Sequence, residues 1–202
     1  EKVDPKTEQI VLAGGLLTPG FVDLQVNGGG GVLFNDNPSL ENLKTICEAH
    51  IKLGSTSILP TLISDSPEVN KQAILAITDA LDKKINGLIG LHLEGPHLAR
   101  ARKGAHEERF IRPMKEFDCL ELESLANKIP NLMLTVAPEA VSSEQITRLS
   151  KAGAIISLGH TDCTFNQAAD AVRAGATCAT HLFNAMSPLG GREPGLVGAV
   201  LD

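Results

Sequence analysis

A short pattern recurs along this chain and limits what it can fold into. Lys151-Ala152-Gly153-Ala154 returns 22 residues later as Arg173-Ala174-Gly175-Ala176, and Lys52-Leu53-Gly54-Ser55 is a looser third copy. Each copy reads as a basic last helical turn, a glycine C-cap and the first residue of a strand. A helix that hands over to a strand through one glycine, repeatedly, implies βα units, with parallel strands inside and helices outside. The segments between agree. Residues 21–27 alternate Val22, Leu24 and Val26 with Asp23, Gln25 and Asn27, the period of a strand. Further strands are predicted at 55–59, 88–94, 132–136, 154–160 and 176–181. Helices are predicted at 40–53, from Ser66-Pro67 through Ile74, Ile77 and Leu81, and at 117–127. The capping boxes Ser142-x-x-Gln145 and Thr164-x-x-Gln167 open two more.

About six strands in series fit either a doubly wound sheet or a (β/α)8 barrel. A doubly wound nucleotide binder should carry a glycine-rich phosphate loop after an early strand. Asn27-Gly28-Gly29-Gly30-Gly31 has neither the GxGxxG spacing nor a following Lys-Ser/Thr. The expectation is therefore an α/β fold, a TIM-like (β/α)8 barrel, incomplete, with about six βα units present.

Composition narrows the partners. Hydrophobic residues make up 43% and charged residues 21% of the 202, the balance of a globular protein rather than a disordered one. The net charge of −6 argues against nucleic acid, and the absence of Trp and Tyr removes most stacking platforms. No apolar run reaches the roughly 18 residues of a membrane span, and no signal-peptide pattern is visible in these residues, which begin without Met. Cys47, Cys119, Cys163 and Cys178 form no CxxC and read as free thiols in a reducing, cytoplasmic setting.

Polar residues collect at the C-terminal ends of the predicted strands. On 88–94, Ile89, Leu91 and Leu93 share one face, and Gly90, His92 and Glu94 the other. The strands 154–160 and 176–181 end on His160 and His181. In a barrel the inward face of the C-terminal rim carries the active site, so Gln25, Glu94, His160 and His181 can converge there. One carboxylate and two imidazoles suit a catalytic divalent metal with an open position for water. A lone histidine at a strand end is more often structural, but three such ends together shift the balance toward a metal. His92 sits one layer deeper, to support a ligand from behind or merely to pack. His50 falls on the apolar face of a helix, His97 follows Gly95-Pro96 as a lid residue or nothing, and Cys163 reads as a helix-start residue despite its spacing from His160.

Two loops stand out. Residues 95–113 are long for a βα loop and carry Arg100, Arg102, Lys103, His106, Arg109 and Arg112. They read equally as a lid or clamp and as a solvated charged loop. Residues 183–195 combine free backbone N–H groups with Arg192, which can hold a phosphate bidentately. A plain Gly/Pro connector is the alternative.

Six ordered motifs carry a resemblance. They are Leu17-Thr-Pro-Gly-Phe-Val-Asp-Leu-Gln-Val-Asn-Gly28, Leu91-His-Leu-Glu-Gly-Pro96, Ala137-Pro-Glu139, Ser157-Leu-Gly-His160, Ala179-Thr-His-Leu-Phe-Asn-Ala-Met186 and Gly191-Arg-Glu-Pro-Gly195. Together, from about Leu16 onward, they resemble the N-acetylglucosamine-6-phosphate deacetylases of the amidohydrolase superfamily, barrels of the metal-dependent hydrolase type. The resemblance implies hydrolysis of the acetamide of N-acetylglucosamine 6-phosphate to glucosamine 6-phosphate and acetate, in a cytoplasmic homodimer. It implies Glu94, His160 and His181 as metal ligands and His106 as the group that polarises the acetamide carbonyl. Asn184 and Ala185 match contacts on the phosphate side, and Arg192 matches an arginine that reaches the phosphate of the neighbouring subunit. Gln25-x-Asn27 replaces the usual His-x-His pair, so one metal ion is expected, Zn2+, with Gln25 a neighbour of the metal or its water. The family's general base is an aspartate on a later strand that this sequence lacks, so the isolated chain is expected to be inactive and part of something longer. Residues 1–16, and 9–16 in particular, are expected to be a remnant of a small N-terminal β domain or linker, and 17–202 a partial barrel catalytic domain. Two other readings stay open: a non-metal barrel sugar-phosphate isomerase or aldolase, and a non-catalytic binding fragment.

Overall fold

A computed structural model describes residues 3–8 and 10–202. Gln9, which opens the expected β-domain remnant, lies outside the described residues, as do Glu1 and Lys2. Residues 3–8 and 10–20 carry neither helix nor strand.

The expected βα series is present. The elements run β1 (Phe21–Val26), β2 (Gly28–Gly29), β3 (Val32–Leu33), α1 (Leu40–Lys52), β4 (Ser55–Ile63), α2 (Pro67–Asp82), β5 (Leu91–Glu94), α3 (Glu116–Ala126), β6 (Leu132–Val136), α4 (Ser143–Lys151), β7 (Ile155–Leu158), α5 (Phe165–Ala174), β8 (Ala176–Ala179) and α6 (Gly195–Leu201). Six strands form one parallel sheet in the order β1-β4-β5-β6-β7-β8, an open and incomplete TIM-like barrel. The recurrent glycines do what the pattern predicted. Gly54, Gly153 and Gly175 have φ of 98°, 100° and 123°, where each helix turns back into the next strand. Ser66, Ser142 and Thr164 cap α2, α4 and α5 by accepting from backbone N–H groups of the first turn.

Strand parity sorts the molecule into two layers. Outward aliphatics such as Leu62, Leu91, Leu134 and Ile156 join Ile46, Ile77, Ile146 and Leu149 of the helices in one continuous core. The inward positions toward the C-terminal ends of the strands carry the buried polar residues Thr61, His92, Glu94, Thr135 and Ser157, above the inward aliphatics Leu59 and Met133.

Several boundaries differ from the sequence reading. β4 does not stop at Leu59 but continues through Pro60 to Ile63. Pro60 falls where the ladder to β5 is interrupted, between the Ile58–Leu88 bridge and the Thr61–His92 pair, so its missing N–H breaks no bond there. β7 and β8 end at Leu158 and Ala179, two residues short of His160 and His181. The glycine run after β1 is a two-stranded antiparallel ribbon, β2 with β3, and a seven-residue helix, α6, follows the 183–195 loop.

The 95–113 loop is anchored rather than loose. Arg112 grips Asp118, on the first turn of α3, with Nη1–Oδ2 at 2.5 Å and Nη2–Oδ1 at 2.6 Å. The Lys115 N–H also donates to Asp118, at 2.8 Å. Burial would raise the Asp118 carboxyl, but Arg112 and the Lys115 N–H outweigh it and hold it below its ordinary value. A carboxyl lowered in the folded state stabilises fully above its unfolded pKa of about 3.9 and progressively less as pH falls through the folded value. Asp118→Asn is expected to lower stability to urea at pH 7 by about 1–3 kcal/mol. The gap to the parent should begin to narrow once the pH drops below about 4, where the unfolded-state carboxyl takes up its proton, and should close as the pH falls through the lower folded value.

Candidate metal centre

Glu94, the last residue of β5, points into the barrel mouth with its side chain 3% exposed. A buried carboxylate must be compensated. Its Oε1 lies 3.0 Å from His160 Nε2 and 2.8 Å from His181 Nε2, and its Oε2 accepts from Gln25 Nε2 at 2.9 Å. One ligand atom from each of Glu94, His160 and His181 lies within 4.8 Å of the others, the one such cluster of His, Cys, Asp or Glu among the described residues.

The two histidines reach Glu94 by leaving the strand. His160 and His181 have φ of 48° and 57°, a left-handed turn just beyond β7 and β8. Non-glycine residues rarely adopt this conformation, and such outliers gather at functional sites. The turn aims both rings at a point that simple strand alternation does not reach. His160 Nδ1 donates to the Arg102 carbonyl at 2.8 Å, which leaves its Nε2 lone pair facing Glu94 Oε1. Two acceptors at that distance need a positive charge between or beside them. Burial would lower the His160 imidazole, but Glu94 and the Arg102 carbonyl raise it above its usual value. Burial pushes the Glu94 carboxyl up, yet the neighbouring His160 and His181 rings, wherever a proton is shared with them, hold it well below the carboxylate range. The donor set of two imidazole nitrogens and a carboxylate fits a divalent metal, with the second nitrogen of His160 fixed by a carbonyl as metal-ligating histidines usually are.

His106, from the 95–113 loop, completes one wall. Its Nε2 lies 3.9 Å from Glu94 Oε2, and its ring meets that of His160 edge-on at 4.5 Å. The Ser64 backbone N–H donates to His106 Nδ1 at 3.2 Å, with Ser64 Oγ 2.9 Å away. A backbone N–H only donates, so Nδ1 is unprotonated and the neutral ring carries its hydrogen on Nε2, toward the cluster. Burial and then the neighbouring His160 lower His106 to about 4, so the ring is uncharged at neutral pH.

These groups line a cavity of about 390 Å³ whose rim includes Asn27, Asn35, Gly104, Asn184 and Ala185. Arg192 is exposed and does not line it. No lysine lines it either, so the non-metal isomerase or aldolase reading finds no amine there. A larger groove of about 800 Å³ lies outside the barrel between α2 and α3. Two of its titratable groups are engaged with Arg112: His97 Nδ1 on the Arg112 carbonyl and Asp118 on the guanidinium.

The other polar candidates take structural places. His92 is fully buried one layer below Glu94, and burial lowers it to about 4. His50 Nε2 meets the Gly28 carbonyl at 2.9 Å. Cys163 is buried at the start of α5, its thiol pushed up to about 11 by burial, and takes no part in the cluster. Sequence reasoning missed Ser64, which sets the His106 tautomer, and Asn35, which bridges the end of β4 through Ile63 and Asp65. Extending the strand through Pro60 would have put Ser64 at its C-terminal end, where functional residues gather.

Comparison with known proteins agrees with this geometry. The family model described as "Amidohydrolase family" matches residues 16–200. An N-acetylgalactosamine-6-phosphate deacetylase of Shewanella sp. (strain ANA-3) is 46% identical over 188 residues, 93% of this chain and 47% of that protein. An N-acetylglucosamine-6-phosphate deacetylase of Haemophilus influenzae is 44% identical over 198 residues, 96% of this chain and 50% of that protein. The crystal structure of N-acetylglucosamine-6-phosphate deacetylase from Pasteurella multocida superposes with a TM-score of 0.93 at 41% identity, covering 99% of this chain and 52% of that one. The chain thus spans about half the length of the curated relatives it matches. With a parallel α/β barrel, a rim of one carboxylate and two imidazoles, and a family match along nearly its whole length, this chain belongs to the amidohydrolase family.

Proposed function

We propose that the protein carrying this chain hydrolyses the acetamide of N-acetylglucosamine 6-phosphate, releasing acetate and glucosamine 6-phosphate, around one Zn2+ ion held by Glu94, His160 and His181. The observation that carries this reading is the meeting of those three side chains at one point beside an uncharged His106 whose Nε2–H faces the same cavity. The names of the similar proteins, all deacetylases of N-acetylhexosamine 6-phosphates, support the substrate class. A bound divalent ion supplies Lewis acidity, polarising a carbonyl and lowering the pKa of a water from 15.7 toward about 7.

The chain's own residues do the rest. Glu94 keeps its charge in the buried mouth and presents Oε1 to the site, while Gln25 occupies Oε2. His106 donates its Nε2–H where the acetamide oxygen gains charge, a preorganised contact made strongest in the transition state. Ser64 keeps that hydrogen on the correct nitrogen. Asn184 and Ala185, on the cavity rim, are the proposed contacts on the phosphate side. Arg192 is exposed away from its own cavity, which supports a role across a homodimer, at the phosphate of the neighbouring subunit. Four free cysteines support a cytoplasmic setting.

Acetate release by the intact protein is the test, with the gluco and galacto substrates run in parallel because relatives of both names match about equally well. Dialysis against a chelator is expected to abolish turnover and added Zn2+ to restore it; equal rates after chelation would refute the proposal. Glu94→Gln and His160→Ala should each remove the roughly one equivalent of metal per chain seen by elemental analysis. His106→Asn should keep the metal while kcat falls by about 10²–10³, the usual effect of deleting one oxyanion donor.

A further inference from the structure

Directly beneath the metal centre the barrel is filled by polar side chains joined in a row. His92 Nε2 lies 2.7 Å from Thr135 Oγ1, Thr135 Oγ1 lies 2.7 Å from Thr180 Oγ1, and Thr180 Oγ1 lies 2.7 Å from Ser157 Oγ. All four residues are buried. At the other end His92 Nδ1 meets the Leu24 carbonyl at 3.0 Å. A carbonyl only accepts, so Nδ1 carries the hydrogen and Nε2 of the neutral ring accepts from the Thr135 hydroxyl. Thr135 then has only lone pairs left, so Thr180 donates to it and Ser157 donates to Thr180. The row runs in one direction, from β7 through the end of β8, β6 and β5 to β1.

Its members adjoin the residues of the metal centre along the chain. Leu24 precedes Gln25, Thr180 precedes His181, and His92 lies two residues before Glu94. Gly159, which precedes His160, lies against the row: a Cβ there would fall 2.9 Å from Thr180 Cβ and 3.0 Å from Thr135 Cγ2. The row therefore touches every segment that brings a ligand to the rim. Aliphatic packing at this level would be non-directional, whereas hydrogen bonds fix distance and angle.

We propose that this hydroxyl–imidazole row, with Thr135 at its hub, sets the mutual spacing of Glu94, His160 and His181 and thereby the affinity of the centre for its metal. Thr135 and Thr180 are positioning residues in this scheme, which rests on the metal reading of the site. Metal–ligand distances fall within about 0.2 Å of standard values, so a small change in the relative height of the strand ends is felt at the ion.

Two substitutions in the intact protein separate hydroxyl from shape. Thr135→Val keeps the volume and removes the hydroxyl, and Thr135→Ser keeps the hydroxyl and removes the methyl. The readouts are Zn2+ affinity by competition with a chromophoric chelator and the d–d absorption bands of the Co2+-loaded protein, both independent of turnover. Thr135→Val is expected to lose about 10–100-fold in affinity, the range for groups that support metal ligands, and to shift the Co2+ bands. Thr135→Ser should stay close to the parent in both. Ser157→Ala, at the end of the row, should weaken binding in the same direction and by less. Parent-like affinity in Thr135→Val overturns the proposal, as does an equal loss in Thr135→Ser, because packing would then be the cause. If circular dichroism shows that Thr135→Val does not fold, Ser157→Ala decides, and unchanged affinity there overturns the proposal. A parent protein that takes up no metal overturns this inference and the metal reading together; a parent that binds beside a Thr135→Val that binds equally overturns this inference alone.

Discussion

Glu94 holds a negative charge in a place almost without solvent, and the barrel mouth is arranged around compensating it. Removing a carboxylate from water costs several kcal/mol even after relaxation, unless its oxygens are matched. Here one oxygen is met by two imidazole nitrogens and the other by the Gln25 amide. The same compensation makes the centre a candidate cation site. Two imidazoles whose lone pairs face a carboxylate oxygen are a metal's ligand set, and the structure supplies the partner that orients one of them, the Arg102 carbonyl on His160.

That carbonyl assigns the 95–113 segment its purpose. The loop is charged, as a solvated loop would be, but its main work is done from inside. Arg102 is tied to Asp162 through Nε and Nη2 at 2.9 Å and 2.7 Å, which holds its backbone against His160. Arg112 is clamped to Asp118 at the far end. Between these anchors the loop delivers His106 to the site. It is a wall of the cavity fastened by two of its charges, Arg102 and Arg112.

Inside and outside of the sheet obey different rules. The outer face is closed by aliphatic contacts with the helices, which tolerate substitution of similar volume. The upper part of the inner face is a column of polar groups, each of which needs its partner, because a buried unpaired hydroxyl or imidazole is expensive. All the buried side-chain nitrogen and oxygen atoms among the described residues find a partner. A satisfied column of this kind specifies one arrangement of the strands more sharply than packing alone.

The sequence by itself determined the βα order, the parallel sheet and the rim residues. Helix caps, glycines that end helices and strand alternation are local signals, readable wherever the chain obeys them, as at Ser142, Gly175 and Leu91–Glu94. It ended the second long strand at Leu59, four residues early, because a strand runs on through Pro60 only where the ladder is broken at that point, and that depends on the partner strand. It ran the last two strands through His160 and His181, because nothing local announces a left-handed histidine. It found Glu94, His160, His181 and Gln25 by their positions, and left His106, Asn184, Ala185 and Arg192 to a resemblance. Only the tertiary structure decided that His106 keeps its hydrogen on Nε2, that Arg102 acts through its carbonyl, and that the hydroxyls of Thr135, Thr180 and Ser157 join His92 in one row below the site. Those are contacts between residues 23 to 58 positions apart. Pairings at such a separation are set by how the strands close upon one another, and no periodicity within a strand encodes them.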